Sequence, residues 1–320
     1  MKAIVLEKCC KAEDLQVSEI PIPKIRPEWV LVKIHAAGLN HSEALLRMFE
    51  ANNDYINTPI VPGIECVGEI VETNNSELLV GDRVIGLMGG MGRSFNGSYA
   101  EYALLPARNV FKVNTELDWL SLAAVPETYF TAYGSLVESL LLNNQDTLLV
   151  RGATSTVGQA AIQLAKAIGA TVIATSRHES SFENLKTIGA DFCIIDDENI
   201  SKQQLQPRPN KILELIGPKT LRDSLLTVSK PGFVCNTGIL GNIFAVEHFD
   251  PIKYIPNGVF LTGFFSNFPT RKTIDGLFSL LSEAQIQPLY SHVFTLDQIR
   301  EAHTLLEKGC AGGKIILKIN

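Results

Sequence analysis

Leu148-Leu149-Val150-Arg151-Gly152-Ala153-Thr154-Ser155-Thr156-Val157-Gly158 is the stretch that decides the fold. Its three apolar residues suit a buried strand, and beyond the small-residue turn Val157, Ala161, Leu164 and Ile168 recur at helical spacing. Gly169 stands where such a helix would end in a left-handed residue. The turn therefore meets a helix N-terminus, whose free N–H groups and positive dipole end favour a pyrophosphate. Ala153 and Ser155 stand at the first two positions of a GxGxxG turn, and only Gly158 is a glycine. Small side chains still allow close approach, and the hydroxyls of Thr154, Ser155 and Thr156 can donate to phosphate or cap the helix. An ordinary capped strand-to-helix turn is the competing reading.

The next predicted strand, 170–175, runs into Ser176-Arg177-His178, where an NAD enzyme carries a ribose-binding carboxylate. Arg177 lies about 20 residues past Gly158, as that geometry requires. A guanidinium and a hydroxyl here suit the 2′-phosphate of NADP. One charge-assisted hydrogen bond of ~1.5–3 kcal/mol would give roughly ten- to hundredfold preference over NAD. A solvated surface arginine is the alternative.

Outward from this point the chain changes rhythm. Up to about Trp119 it reads as short strands at 3–6, 29–34, 65–71 and 83–87, broken by Pro21-Ile22-Pro23 and Val80-Gly81-Asp82, which suits a small, mainly antiparallel barrel. Beyond it, helices alternate with strands at 147–150, 171–175, 192–195, 212–216 and 232–237, the pattern of a doubly wound parallel sheet. A helix at 298–308 and a strand at 313–318 close the chain and can return to the first domain. With 320 residues, 46% of them hydrophobic, two domains are expected: 1–118 with 281–320, and 119–280 between.

A formal net charge of -6 argues against nucleic acid or an anionic membrane as the main partner. No segment reads as a signal peptide or membrane span, so a cytoplasmic location is expected. Cys9, Cys10, Cys66, Cys193, Cys235 and Cys310 form no Cys-x-x-Cys pair, which suits buried reduced thiols.

Ala37-Gly38-Leu39-Asn40, Pro62-Gly63-Ile64-Glu65-Cys66-Val67-Gly68, Val80-Gly81-Asp82-Arg83-Val84, Gly97-Ser98-Tyr99-Ala100-Glu101-Tyr102 and Gly313-Lys314 join the nucleotide turn. Over nearly the whole chain, these motifs resemble the medium-chain dehydrogenase/reductase superfamily, and within it the zinc-free quinone oxidoreductase branch. The resemblance implies a Rossmann sheet inserted into a mainly-β, GroES-like barrel domain. Zinc-dependent alcohol dehydrogenases place a Cys at the position of Asn40 and a His at that of Ile64, and neither residue here is a suitable ligand. Without the metal no Lewis acid stabilises an alkoxide, whereas hydride delivery to a quinone or conjugated carbonyl remains feasible.

The resemblance also implies roles. The cofactor, expected to be NADPH, would be held by Thr154, Ser155, Thr156, Val157, Ser176 and Arg177. Asn40 and Thr131 would border the nicotinamide, Gly238 would lie near it, and the backbone of Phe264, Phe265 and Ser266 would bond its carboxamide. Tyr55 would bond the acceptor oxygen or protonate the carbanion left by hydride transfer, or else is a loop tyrosine. Ser42 reads as a helix cap, His41 as a polar loop residue, and Arg93 as a loop arginine that is solvated or meets substrate. Because relatives commonly pair through the edge strands of their Rossmann sheets, the resemblance implies a homodimer here, with 258–263 the candidate edge strand.

Neither a Tyr-x-x-x-Lys pair nor Gly-x-Ser-x-Gly occurs, which removes a short-chain dehydrogenase and an α/β serine hydrolase. Enoyl-thioester reductase, 2-alkenal reductase and a non-catalytic NADPH-binding sensor stay open beside quinone reductase.

Overall fold

The computed structural model describes residues 1–309 and 311–319, so Cys310 lies outside the described residues. The chain divides into two compact units. The first takes Met1–Glu127, Asn267–Phe278 and the chain from Gln287 on; the second takes Thr128–Ser266 and Ser279–Ile286.

In the first unit β1 (Lys2–Ile4) and β2 (Val17–Glu19) form a small ribbon. The main sheet is built on β3 (Trp29–Leu39), with β4 (Glu65–Thr73), β5 (Arg83–Leu87), β6 (Tyr102–Pro106) and β7 (Val110–Lys112). β4 pairs antiparallel along one edge of β3, while β6 pairs with residues 29–33 of the other. The predicted strand 29–34 runs on to Leu39 because its second half finds a different partner, the closing strand of the chain. Val30, Val32, Ile34, Ile70, Val84 and Leu105 are fully buried in one cluster. Burying each such side chain contributes about 1.5–3 kcal/mol.

The helix Trp119–Ala123, expected to open the second domain, belongs to the first unit. The reason is its tryptophan: the Trp119 ring stacks on His35 at 4.3 Å, and the Arg83 guanidinium lies 4.1 Å from its centroid.

The second unit carries β8 (Thr147–Arg151), β9 (Thr171–Ser176), β10 (Phe192–Ile195), β11 (Lys211–Glu214), β12 (Gly232–Asn236) and β13 (Val259–Gly263). All neighbours are parallel in the order β10-β9-β8-β11-β12-β13, so strand order reverses direction between β8 and β11. Open sheets of this kind bind ligands beyond the carboxyl ends at that switch point. β8, β9 and β11 are buried along nearly their whole length, which explains the apolar residues at their centres, Leu148 to Val150, Val172 to Ala174 and Ile212 with Leu213. β11 stops at Glu214 rather than at Ile216, because the Glu214 carboxylate accepts the N–H groups of Ile216 and Gly217 and turns the chain. The helix Thr156–Ile168 ends on Gly169 at φ 94, as its sequence predicts.

β14 (Tyr290–Thr295), the helix Ile299–Lys308 and β15 (Lys314–Lys318) return to the first unit, where β15 pairs antiparallel with residues 36–39 of β3. Of the described cysteines, Cys66 and Cys235 are buried, while Cys9, Cys10 and Cys193 are only half-buried. Among the described residues no helix is long and apolar enough to cross a membrane.

The helix Ile299–Lys308 buries His303, whose Nδ1 accepts from Arg47 Nε at 3.3 Å and whose Nε2 lies 3.2 Å from the Tyr99 hydroxyl. Burial, reinforced by the Arg47 charge, pushes this imidazole down from 6.5 to about 3. The unfolded chain then takes up a proton near pH 6.5 that the folded chain refuses. Stability from this group is complete above that pH and falls toward pH 3, by up to about 1.36 kcal/mol per pH unit. Urea unfolding at pH 7 and pH 5 should show the loss in the parent protein and a shallower one in His303→Gln; equal losses would refute the assignment.

Candidate active site

In the first unit the chemistry gathers where β3 ends. Asn40 leaves the strand in an extended conformation and starts the short helix His41–Leu45, two residues before Ser42, so Ser42 is not the cap. Glu43, fully buried, accepts the N–H of Asn40 at 2.8 Å and of Ile64 at 3.1 Å. Burial raises this carboxyl to about 7 against the pull of Lys314, so it is poised between its two protonation states at neutral pH.

Lys314 opens β15 and is itself buried, its Nζ donating to Asn40 Oδ1 at 2.6 Å and to Glu65 Oε1 at 2.5 Å. Asn40 Nδ2 donates to the same Glu65 oxygen at 2.8 Å. Glu65 Oε2 accepts the N–H of Glu127 at 2.8 Å. The ammonium thereby decides which way the Asn40 amide points: oxygen toward Lys314, nitrogen toward Glu65. Gly38 leaves the space, since a Cβ there would lie 2.4 Å from Lys314 Cε and 2.5 Å from Glu65 Oε1.

These residues do not fit a zinc ion. Ile64 offers no side-chain ligand and its N–H is spent on Glu43, while Asn40 Oδ1 and Glu65 Oε1 already hold an ammonium. Sequence reasoning quoted Glu65 and Lys314 only as motif letters and missed the network. Its signal was a charge at the head of an apolar strand, Glu65 before Cys66-Val67 and Lys314 before Ile315-Ile316-Leu317.

Tyr55 is 63% exposed and its hydroxyl accepts from Asn53 Nδ2 at 3.2 Å. Nothing among the described residues accepts the Tyr55 proton in return. Arg93 is half-buried and paired: its Nε bonds Glu50 Oε2 at 2.8 Å and its NH2 bonds the Ser42 carbonyl at 3.1 Å. His41 is exposed.

In the second unit the turn after β8 carries the nucleotide candidates. Ser155 caps the helix, its Oγ accepting the N–H of Gly158 at 3.1 Å and donating to the Gly152 carbonyl at 2.8 Å. The donation to Gly152, and not the cap, commits the hydroxyl proton that could have served phosphate. The N–H groups of Thr156 and Val157 bond no acceptor among the described residues and provide the orphan donors an anion needs. A Cβ on Gly158 would lie 2.5 Å from the Gly152 carbonyl, so a glycine at this third position lets the helix close on the turn. Thr154 is exposed.

Ser176 is buried at the end of β9, and its hydroxyl and the His178 backbone bond each other. Arg177 projects into solvent and pairs with no described residue. Of the two groups expected to meet a 2′-phosphate, the guanidinium alone is uncommitted.

The remaining candidates of this unit come together. The buried Ser135 hydroxyl donates to the Thr131 carbonyl at 2.7 Å and lies 2.8 Å from the Thr237 hydroxyl, tying the helix Pro126–Tyr133, which carries Thr131, to the loop that carries Gly238. Phe264 packs edge-on against Phe130 at 5.5 Å and over Gly134, where a Cβ would meet its ring at 2.0 Å. Phe265 is exposed and Ser266 half-buried beside it.

The comparisons agree with this arrangement. Residues 26–115 match the family model of the alcohol dehydrogenase GroES-like domain, and residues 156–283 match that of the zinc-binding dehydrogenases. Human quinone oxidoreductase is 29% identical over 94% of this chain and 92% of its own length. The alcohol dehydrogenase of Geobacillus stearothermophilus is 27% identical over 100% of this chain and 99% of its own. The solved structure of the quinone oxidoreductase from Coxiella burnetii superposes with a TM-score of 0.83 at 26% identity, covering 100% of this chain and 99% of that one. The paired domains, the parallel sheet with its nucleotide turn and these relatives make the chain a nicotinamide-binding oxidoreductase that belongs to the medium-chain dehydrogenase/reductase superfamily.

Proposed function

We propose that this protein is a zinc-independent, NADPH-dependent reductase that delivers hydride to a quinone or a related conjugated carbonyl. The observation that carries the reading is the Lys314 ammonium seated on Asn40 Oδ1 and Glu65 Oε1, a fixed positive charge where the zinc-dependent relatives would need metal ligands. An acceptor that is already electrophilic needs no Lewis acid. NADPH, when bound, supplies the hydride.

Each unit supplies its own part of the proposed work. The orphan N–H groups of Thr156 and Val157 receive the pyrophosphate, and Arg177 takes the 2′-phosphate. Thr131, the Gly238 loop and the backbone of Phe264, Phe265 and Ser266 hold the nicotinamide end. Asn40, its amide turned by Lys314, borders the reacting centre. Tyr55, whose hydroxyl already accepts from Asn53, keeps its own proton for the acceptor oxygen or the carbanion. In the proposed homodimer two copies meet through β13, the edge of the parallel sheet, where Phe260 stands 53% exposed.

The deciding experiment is cofactor oxidation followed at 340 nm against quinones, enones and enoyl thioesters, before and after chelator treatment. NADPH-selective turnover of one acceptor class that survives chelation is expected; turnover abolished by chelator and restored by zinc would overturn the reading. Arg177→Ala should raise KM for NADPH about tenfold or more and leave KM for NADH nearly unchanged, the loss of one charge-assisted hydrogen bond. Tyr55→Phe should lower kcat on enones by about 10²-fold or more, in line with general acid catalysis, and unchanged enone turnover would remove Tyr55 from the mechanism. Light scattering of the purified protein should give twice the chain mass, and Phe260→Lys should return it to one.

A further inference from the structure

Arg151, the last residue of β8, has no part in the mechanism above, yet it is fully buried. Its guanidinium makes a two-pronged bond to Asp196, Nε to Oδ2 and NH2 to Oδ1, both at 2.8 Å. Its third nitrogen, NH1, bonds Asp223 Oδ2 at 2.8 Å, Ser224 Oγ at 3.1 Å and the Thr220 carbonyl at 3.2 Å, with Glu214 4.0 Å away. A buried arginine with this many ionic partners costs desolvation that a hydrophobic residue would not.

Asp196 is the partner that matters for the cofactor. It follows β10, the strand beside β9, and its N–H bonds the Ser176 carbonyl at 2.9 Å. Its carboxylate is 8% exposed and reaches Thr175 Oγ1 at 3.4 Å; that hydroxyl accepts the N–H of Gly152 at 3.3 Å. One carboxylate therefore touches both strand ends that frame the adenosine side of the nucleotide turn. Asp196 opens an acidic run, Asp196-Asp197-Glu198, in which Glu198 is paired with Lys219 and Asp197 bonds Asn199 and Gln203. Acidic charge beside Ser176 and Arg177 would repel a 2′-phosphate and favour the free ribose hydroxyls of NADH.

We propose that Arg151 is a positioning residue for cofactor selectivity: by holding Asp196 in its two-pronged grip it keeps that carboxylate turned away from, and electrostatically masked against, the 2′-phosphate. The inference rests on the reading that Arg177 receives that phosphate. It adds a residue that touches no ligand and acts only through Asp196.

The test is the ratio of dissociation constants for NADPH and NADH, from titration of reduced-nicotinamide fluorescence, in the full-length protein. Arg151→Met should shift the ratio toward NADH by about tenfold or more, as an unmasked charge would. Asp196→Asn on the parent background should leave the ratio within about threefold, and the double variant Arg151→Met, Asp196→Asn should recover most of the parent preference. A merely structural arginine would weaken both cofactors alike, and an unchanged ratio or a double variant without recovery overturns the proposal. If Arg151→Met does not fold, Arg151→Lys keeps the charge but loses the two-pronged hold; the ratio should move the same way, and no movement overturns the proposal. The absolute ratio of the parent protein tests the NADPH reading separately, because a parent that prefers NADH can still show or lack the shift.

Discussion

The ion pair between Lys314 and Glu65 joins residues 249 positions apart in the chain, and the first unit is organised around it. Both side chains are essentially excluded from water. A lone charge so placed would cost several kcal/mol, so each is tolerable only with the other present. The consequence is topological: β15, the last strand, must pair with the second half of β3 for Lys314 to reach Glu65, which begins β4. The same pair fixes the Asn40 amide and, through Glu65 Oε2, the first turn of the helix at Glu127. Glu43 stands behind this arrangement, a carboxyl that burial raises to about 7 while its oxygens gather the backbone of Asn40 and Ile64.

The second unit repeats the device with different residues. Arg151 is buried at the end of the strand beside the switch point, and Asp196, Asp223 and Glu214 converge on it. Glu214 is pushed upward by burial while Arg151 pulls the other way, and its two oxygens hold the Ile216-Gly217 turn and the Ser224 hydroxyl. Charges inside a parallel sheet are a poor way to gain stability. They are a good way to fix the ends of several strands against one another, and those ends are where an open sheet meets its ligand. In both units an internal cation orders the polar groups around a site.

The parallel sheet, the helix from Thr156 to its stop at Gly169 and most strand positions were legible because they rest on local rules: apolar runs, helical periodicity and a glycine free to take positive φ. Errors at element ends had tertiary causes. β11 ends early because of a side-chain carboxylate, β3 runs long because it changes partner, and the Trp119 helix joins the first unit because its ring stacks on His35. At the nucleotide turn, the close approach at Gly158 was readable, while the exposure of Arg177 fits either reading made of it. The commitments of the hydroxyls were not readable, since a serine in a turn has the same letter whether it caps a helix, as Ser155 does, or bonds a neighbouring carbonyl, as Ser176 does.

The sequence by itself determined the kinds of element, their order, the superfamily motifs and the absence of suitable metal-ligand residues at Asn40 and Ile64, because each of these is written in residue type and short-range spacing. The tertiary structure alone decided which buried charges meet: Lys314 with Glu65 and Asn40, Arg151 with Asp196 and Asp223. A buried charge must find a partner, but nothing in its local sequence says which one, since the partner is chosen by strand pairing across long stretches of chain.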